Sequence, residues 1–587
     1  MKKIAIIGAG PYGLVALDRL IKQAPAEKIE LLFFDSVGLG GHVWRKDQSD
    51  QVIMNTVMQH VTLFSEDEGP NLAEWSQTEA GAFLTDFDYE ETLLSETKLT
   101  ENDYCQRRYY GAYQHWFFER VTSELPENVT VNFFKEQVVD LTIAEGNISL
   151  QTSKCYQVTD VILATGHAQN YLSGDEAKNQ EYAEAHGLFY QGPGNPSDTP
   201  LEKSAPGTVI IRGLGLSFFD YLALFVAKWG GQFTEEKNHL MYVPSGKEQT
   251  LVVGSGRGLP YHTRPNNQKG FGDVAQPQIL TESFMEQFQG SAQELFDLLK
   301  KEAELVFYQK KLANKKIDLD RFLRDYQVGD RETILRKYQI SVEDRLDWTK
   351  LLDPAKEVVP QAFPDFIQQY LKKDIEEAER GNQTGAIASA IDTYKELQDP
   401  LNKMLDQEKF SPKEYVEDFF GTFKHMYSFL TIGAPIIRQK QLLALVKAGV
   451  VEFLAPEMQV ERKNGEFFAY SKQDPKRSFS GKNLIEARLP ATSLAHTKNP
   501  LLIKMREKGY LAPYCVTIDN KKHSMGALQV NRKTHQLLAE DGKILPHLYC
   551  YGVPLEGVDW LNATSPRPKS EDRIFYLANQ IVQTIYH

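Results

Sequence analysis

Apolar and polar positions over the first 35 residues predict a strand, a turn, a helix and a second strand, in that order. The run from Lys3 to Ile7 is isoleucine and alanine after the lysine, which is typical of a buried parallel strand. A glycine-rich hexapeptide follows, and leucine and isoleucine then recur at helical spacing until Pro25. The second apolar run, Ile29 to Phe34, ends at Asp35. This order predicts the opening unit of a doubly wound α/β fold that binds a nucleotide.

Each glycine of the first turn meets a separate steric need. Gly8 allows the tight turn, Gly10 lets a diphosphate approach the backbone, and Gly13 lets helix and strand pack closely. Pro11 stands in the first helical turn, where its missing N–H costs no hydrogen bond. The free N–H groups and the dipole of the helix N-terminus favour phosphate. These residues, with Tyr12 among them, are predicted to bind the first nucleotide.

Asp35 and the chain after it indicate which nucleotide this is. Asp35 is expected to accept hydrogen bonds from ribose hydroxyls, although 35 − 8 = 27 residues separate it from Gly8 rather than the usual ~20. A glycine-rich bend and a long irregular stretch follow it, which favours a chain wrapped around an extended ligand such as FAD. A later strand, Val161 to Ala164, leads into a Thr-Gly pair that also permits close backbone approach. The further FAD-binding residues predicted in these segments are Gly40, His42, Val43, Trp44, Asn55, Thr56, Thr165 and Gly166.

A second strand, glycine turn and helix begins at Val209. Gly213, Gly215 and Ser217 are its predicted cofactor-binding residues. Phe218 stands where a third glycine or an alanine is usual, so its side chain either pushes helix from strand or faces another direction.

The next strand, predicted at Thr250 to Val253, has no acid at its end. The residues that follow it are Gly254-Ser255-Gly256-Arg257. Arg257 suits a 2′-phosphate better than a 2′-hydroxyl, which favours NADPH over NADH. A solvated loop arginine is an equally open interpretation. His262, nearby, is expected to be a satisfied loop histidine rather than a catalytic one.

The rest of the chain alternates between strand, loop and helix patterns. Residues 171–203 are rich in Gly, Pro, Asn and Asp and predict a linker. Residues 276–427 are strongly helical and charged. Further strands are predicted within Val450 to Tyr470 and at Leu548 to Tyr551, and a final helix around Ile574 to Ile585.

Composition excludes several classes of protein. The 587 residues are 42% hydrophobic and 25% charged, as in ordinary globular proteins. The net charge of −13 argues against nucleic-acid binding. No apolar run approaches the ~20 residues of a membrane span, and Ile4 to Ile7 is too short for a signal sequence, so a cytoplasmic protein is expected. The four cysteines form no close pair and no HxxxH occurs, so neither a redox dithiol nor a metal site is expected.

Together these motifs resemble the FAD/NAD(P)-binding proteins related to flavin-dependent monooxygenases, over nearly the whole chain. The resemblance implies FAD as cofactor and NAD(P)H bound at the second turn, which is similar to the GxGLSxxD unit of flavin monooxygenases. It also implies that the C-terminal strand and Gly552 return to the first domain and flank the flavin, with Val553–Gly557 running past the isoalloxazine. The segments that carry it are Gly8–Gly13, Asp35, Gly38–Arg45, Met54–Thr56, Ala164–His167, the turn at Gly213, Ser255–Pro260 and Tyr551–Gly557.

The expected fold is α/β, with a Rossmann-like FAD-binding domain built from N- and C-terminal segments, an inserted NAD(P)-binding-like domain and a helical insertion. The insertion is expected to serve as a lid, a substrate region or a surface for homo-oligomers. The expected bounds are 1–170 for the first part of the FAD-binding domain, 171–275 for the NAD(P)-binding-like domain, 276–430 for the insertion, and 431–587 for the strands and C-terminal segment that complete the FAD-binding domain.

The expected function is that of an NAD(P)H-dependent monooxygenase that hydroxylates a small molecule with O₂ through a flavin peroxide. No catalytic residue is assigned, since no Ser/His/Asp or Cys/His constellation is present. An FAD oxidase or dehydrogenase that does not use NAD(P)H is one alternative, which Phe218 favours. A non-catalytic flavin- and nucleotide-binding redox sensor is another.

Overall fold

A computed structural model describes residues 1–65, 68–144, 146–237, 239–270, 273, 276–568 and 572–587. The chain divides into two compact units, one made of Met1–Tyr171 and Pro490–His587 and the other of Leu172–Leu489. Within the described ranges, no helix is long and apolar enough to cross a membrane.

The strands are numbered in chain order. They are β1 Lys2–Ile7, β2 Ile29–Phe34, β3 Val129–Phe134, β4 Asp140–Ala144, β5 Asn147–Gln151, β6 Cys155–Val158, β7 Asp160–Leu163, β8 Phe189–Gln191, β9 Val209–Arg212, β10 Gln232–Glu236, β11 His239–Val243, β12 Leu251–Gly254, β13 Val451–Phe453, β14 Met458–Lys463, β15 Glu466–Ser471, β16 Asp474–Gly481, β17 Asn483–Glu486, β18 Pro513–Ile518, β19 Lys521–Leu528, β20 Gln536–Leu538 and β21 Ile544–Cys550.

The α-helices are numbered in the same way, and a π-helical stretch at Glu414–Phe423 precedes α16. They are α1 Pro11–Lys22, α2 Leu72–Thr78, α3 Ala80–Asp86, α4 Glu91–Leu94, α5 Arg107–Ser123, α6 Gly174–His186, α7 Leu216–Trp229, α8 Glu282–Gln287, α9 Ala292–Lys311, α10 Leu319–Val328, α11 Arg331–Lys337, α12 Trp348–Leu352, α13 Phe363–Glu379, α14 Ala386–Glu396, α15 Gln398–Asp406, α16 Lys424–Thr431, α17 Ile436–Lys447, α18 Pro500–Glu507 and α19 Arg573–Tyr586.

The first unit is built on a six-stranded sheet in the order β20-β21-β7-β1-β2-β3. All neighbouring strands are parallel except β20 and β21. Strand β21 comes from the C-terminal segment and pairs with β7, so that Leu548 lies opposite Val161. The N- and C-terminal segments therefore build one sheet, as the sequence analysis expects. Fully buried residues such as Ile6, Leu17 and Ile162 form its core.

The second unit is built on a five-stranded parallel sheet in the order β13-β12-β9-β17-β8. The glycine turn directly follows β9, the central strand, and therefore lies at the carboxyl edge of the sheet, where α/β proteins bind ligands. Helices α8 to α17 come between β12 and β13 in the chain, and α8 to α16 form the predicted helical insertion.

Most predicted elements are present, but the predicted linker at 171–203 is wrong. The structure places α6 and β8 within it. Strand β8 pairs in parallel with β17, where Phe189 lies opposite Asn483. A three-residue strand with a partner almost 300 residues away has no local signal, because its stability comes from the sheet that it joins.

Candidate functional site

The turn between β1 and α1 has room for a ligand at one glycine and none at the other two. A Cβ at Gly8, where φ is +113°, would lie 2.1 Å from the carbonyl oxygen of Ala164, and one at Gly13 would lie 1.8 Å from that of Gly8. At Gly10 the nearest heavy atom, the carbonyl oxygen of Gly40, is 4.0 Å away. A diphosphate can therefore approach the backbone at Gly10, in front of the N-terminus of α1, and the turn fits FAD.

Asp35, at the end of β2, hydrogen-bonds to the backbone of this turn. Its Oδ2 accepts a hydrogen bond from the N–H of Ala9 at 2.8 Å, and its Oδ1 accepts from Val37 and Gly38 at 2.7 and 3.1 Å. The N–H of Gly40 donates to the carbonyl of Ala9 at 2.9 Å. Asp35, the residue predicted to bind ribose, thus also fixes the shape of the first turn.

The bend after Asp35 is anchored by Trp44. A Cβ at Gly111 would lie 1.9 Å from the Trp44 carbonyl oxygen, so α5 packs directly on this bend. The Trp44 ring makes an edge contact with Tyr110, with 4.8 Å between centroids. The carbonyls of His42 and Val43 accept hydrogen bonds from side chains of the same bend at 2.8 and 2.9 Å.

The other predicted residues of the first unit lie on two further segments. Asn55 and Thr56 are partly buried and follow Met54, whose N–H donates to the carbonyl of Cys105 at 2.9 Å. Thr165 and Gly166 are partly buried at the carboxyl end of β7, which neighbours β1 in the sheet.

The C-terminal segment closes on the first turn through Tyr12. The Tyr12 hydroxyl donates to the carbonyl of Asn562 at 2.8 Å, and the Asn562 amide donates to the carbonyl of Gly552 at 3.0 Å. The Tyr551 hydroxyl donates to the carbonyl of Tyr12. Gly552 has φ +91°, and a Cβ there would lie 3.1 Å from the Tyr12 ring. Gly552 therefore belongs to the first unit, as the resemblance implies, and packs against the Tyr12 ring.

A small cavity in the first unit lies beside His167. Gly166, Thr492, Val553 and Pro554 also line it. Burial lowers the pKa of His167, against the opposing charge of nearby Glu556. The His167 imidazole is therefore neutral at pH 7 and can accept a proton.

The second glycine turn has the same strand–turn–helix geometry. Gly213 has φ +119°, and a Cβ there would lie 2.8 Å from the carbonyl oxygen of Ala487. Gly215 caps α7. Phe218 is fully buried and makes an edge contact with Phe453, 6.5 Å between centroids. Of the two orientations that the sequence allows, the Phe218 side chain takes the one that faces the core.

Ser217, the third residue predicted to bind cofactor at this turn, is partly buried in the first turn of α7.

A buried carboxylate forms ion pairs with two arginines beside this turn. Arg212, at the end of β9, donates from Nε to Glu486 at 2.9 Å. Glu486 is fully buried and also pairs with Arg488. Burial opposes the charged form of Arg212, but the Glu486 carboxylate raises its pKa above the ordinary value.

Arg257 lies against the helical insertion. Its guanidinium donates to the carbonyl of Leu352 and stands 3.9 Å from the centroid of the Phe429 ring. Burial lowers the pKa of Arg257. The arginine that the sequence predicts at the 2′-phosphate is therefore held by two partners from the insertion.

His262 forms a buried pair with Asp374 of α13. Its Nδ1 lies 2.6 Å from Asp374 Oδ1 and its Nε2 lies 2.8 Å from the carbonyl oxygen of Leu351. Both partners are acceptors, so both ring nitrogens donate and the ring is an imidazolium. Burial alone would lower the pKa of His262, but Asp374 raises it. His262 is thus a satisfied loop histidine, as the sequence analysis expects.

A cavity of about 730 Å³ opens in the second unit beside this pair. Aromatic and charged side chains line it together, including Trp348, Phe366, Tyr370 and Lys373. Sequence reasoning missed both this cavity and Asp374. No local signal marks them, because 112 residues separate Asp374 from His262.

Similarity to known proteins extends over nearly the whole chain. Residues 5–168 match the family model described as FAD-NAD(P)-binding. The chain is 32% identical to the nitrosuccinic acid synthase of Aspergillus oryzae, over 96% of this chain and 90% of that protein. It is 31% identical to the nitrosuccinate-forming L-aspartate N-monooxygenase of Streptomyces davaonensis, over 96% of this chain and 94% of that protein.

The fold and site thus define an FAD-dependent oxidoreductase with FAD- and NAD(P)-binding units. The chain belongs to the N-monooxygenase family of these relatives, as the resemblance to flavin-dependent monooxygenases implies. A solved structure with a similar course of the chain is the ornithine N-hydroxylase of Kutzneria sp. 744, at TM-score 0.43 and 12% identity over 99% of this chain and 98% of that one.

Proposed function

We propose that this protein is an NADPH-dependent N-monooxygenase that converts L-aspartate to nitrosuccinate. The observation that carries the proposal is full-length similarity, since 96% of this chain aligns with relatives of those activities at 31 and 32% identity. An alignment over 96% of the chain cannot leave out either nucleotide unit, so both units belong to the shared framework.

The residues of the first unit suit FAD. The open backbone at Gly10 and the N-terminus of α1 would receive the diphosphate, and Asp35 would bind ribose. Bound FAD supplies the activation of O₂, and the protein positions it and excludes water. Tyr12 and Gly552 would hold the C-terminal segment against it.

NADPH is the proposed hydride donor. No acid follows β12, whereas Ser255 and Arg257 do, which favours a 2′-phosphate. Phe218 gives no support to a reaction without NAD(P)H, because its ring faces the core of the second unit.

The amine of an amino acid must lose a proton before it can attack oxygen. A neutral imidazole is a suitable acceptor for that proton. His167 has this character, since burial lowers its pKa, and it lines a cavity that Val553 and Pro554 also border. His167 is therefore the proposed base.

The stoichiometry of the proposed reaction follows from the oxidation states. One oxygenation consumes the amine, O₂, NADPH and a proton and yields the hydroxylamine, NADP⁺ and water. Conversion of the amine to the nitro group by oxygenations alone consumes three O₂, three NADPH and three protons and yields three NADP⁺ and four water molecules. These ratios distinguish complete oxidation from a reaction that stops at the hydroxylamine.

The test is oxygen and NADPH consumption by the purified FAD-loaded enzyme with single amino acids. We expect L-aspartate, and not L-asparagine or D-aspartate, to stimulate both, with nitrosuccinate detected by mass spectrometry. Stimulation by a different amine would refute the substrate and retain the reaction class. NADPH consumption that no amine stimulates, with hydrogen peroxide as sole product, would refute the N-monooxygenase.

A further inference from the structure

The two glycine turns differ in what faces their middle glycine. At Gly10 a Cβ would meet no heavy atom nearer than 4.0 Å. At Gly215 the three nearest heavy atoms belong to Tyr261, whose Cε2, Cζ and Oη lie 3.6, 3.7 and 3.8 Å from the Cβ position. The ring edge that bears the hydroxyl therefore faces the place where a diphosphate approaches the backbone in this type of turn.

Tyr261 is held there by two helices of the insertion and by α17, which follows the insertion in the chain. Gln439 of α17 donates to the carbonyl of Tyr261 at 3.1 Å. Phe429 of α16 makes an edge contact with its ring, 6.3 Å between centroids. The next residue, His262, is fixed by Asp374 of α13 at 2.6 Å. Three helices of the second unit therefore restrain the Tyr261 backbone and ring.

The hydroxyl of Tyr261 has the properties of a donor to phosphate. Burial raises its pKa, with an opposing effect of Arg257, so it keeps its proton at neutral pH. Within the part of the chain that the structure describes, this hydroxyl makes no hydrogen bond. The Arg257 guanidinium is near enough to oppose the rise in the pKa of Tyr261, and its positive potential beside this hydroxyl favours an anion.

We propose that Tyr261 binds the diphosphate of the nicotinamide dinucleotide by donating a hydrogen bond to a phosphate oxygen above Gly215. The proposal rests on the proposed use of NADPH. It also gives the insertion a function within the second unit, because its helices would hold this nucleotide ligand in place.

The test is calorimetric titration of the FAD-loaded enzyme with NADP⁺ and, separately, with adenosine 2′-phosphate, which lacks the diphosphate. In Tyr261→Phe we expect the NADP⁺ Kd to rise roughly tenfold, as for loss of a hydrogen bond to a charged group, and the adenosine 2′-phosphate Kd to stay unchanged. In flavin reduction without amino acid, the half-saturating NADPH concentration should rise while the maximal rate is kept. Tyr242→Phe is the matched control, since the Tyr242 hydroxyl, in the same unit, donates a hydrogen bond to Glu248 at 2.8 Å.

Three results would overturn the inference. They are an unchanged NADP⁺ Kd in Tyr261→Phe, an equal loss of affinity for both ligands, and tighter NADP⁺ binding in Tyr261→Ala, which would mean that the ring merely covers the turn. Failure of L-aspartate as substrate is distinguishable, because none of these measurements contains an amino acid.

Discussion

His262 Nδ1 lies 2.6 Å from Asp374 Oδ1, in a pair whose two residues belong to different structural elements of the second unit. This pair connects the loop after β12 to helix α13. The N–H of Thr263 adds a second contact by donating a hydrogen bond to Asp374 Oδ2 at 2.6 Å. The link bears on stability and on the proposed binding of NADPH, because the same loop carries Tyr261 and Arg257.

This pair predicts a pH-dependent stability. Because the folded pKa of His262 is raised, its contribution is complete below the unfolded pKa of about 6.5 and is lost as pH rises through the folded value. The lowered pKa of Asp374 acts at the other end, where its contribution is lost as pH falls through the folded value. Removing one partner of such a buried pair should cost about 3–5 kcal/mol.

Thermal unfolding followed by circular dichroism checks this between pH 5.5 and 9. We expect the melting temperature of His262→Ala to lie well below that of the wild type at pH 6 and to approach it as pH rises. A difference that stays constant over the whole range would contradict the ionised pair.

Gly10→Ala separates cofactor binding from folding. The added methyl group would meet no protein atom nearer than 4.0 Å, and φ at Gly10 is −82°, which alanine adopts freely. We therefore expect apoprotein stability within about 0.5 kcal/mol of the wild type. FAD affinity should fall at least roughly tenfold because the methyl group occupies the diphosphate position.

Fluorescence titration of the apoprotein with FAD, beside its melting temperature, measures both quantities. Gly81→Ala on α3 is the control, since its Cβ would also lie in open space and far along the chain from the turn. Normal FAD affinity in Gly10→Ala would place the diphosphate elsewhere.

Phe218→Ala should change stability and leave nucleotide binding intact. The ring is fully buried, so its loss should cost about 3–5 kcal/mol. At a temperature where the variant is folded, we expect an unchanged Kd for NADP⁺ by calorimetry. Phe284→Ala, at a side chain that is 38% exposed, should lower stability much less and leave the Kd unchanged. Tighter NADP⁺ binding in Phe218→Ala would show that the ring obstructs the second turn.

His167→Gln should remove the proposed base. In the wild type, kcat/KM for the amine should fall as pH drops through the lowered pKa of His167, because only the neutral ring accepts a proton. In the variant we expect kcat/KM to be roughly 10²-fold lower, with that acidic limb absent. The rate of flavin reduction by NADPH provides the control and should remain unchanged. An unaltered pH profile would exclude His167 as the base.

The geometry of the first glycine turn could be predicted almost entirely from the sequence. Gly8, Gly13 and Asp35 lie within one strand–turn–helix–strand unit, and their contacts with each other depend on local geometry that a spacing pattern records. The return of the C-terminal strand to β7 followed only from family resemblance, since no local pattern specifies a partner nearly 400 residues away.

By itself, the sequence determined the class of fold, the two glycine turns, the helical insertion and the ligand chemistry of the first turn, because these depend on short-range periodicity and on residues without side chains. Tertiary structure alone decided that Phe218 faces the core, that His262 pairs with Asp374, and that Tyr261 faces Gly215. Each of these results is a choice of direction or partner across a long stretch of chain. The direction of a side chain and the identity of its partner depend on how whole helices and strands pack. A short segment of sequence does not include the distant residues that make these contacts.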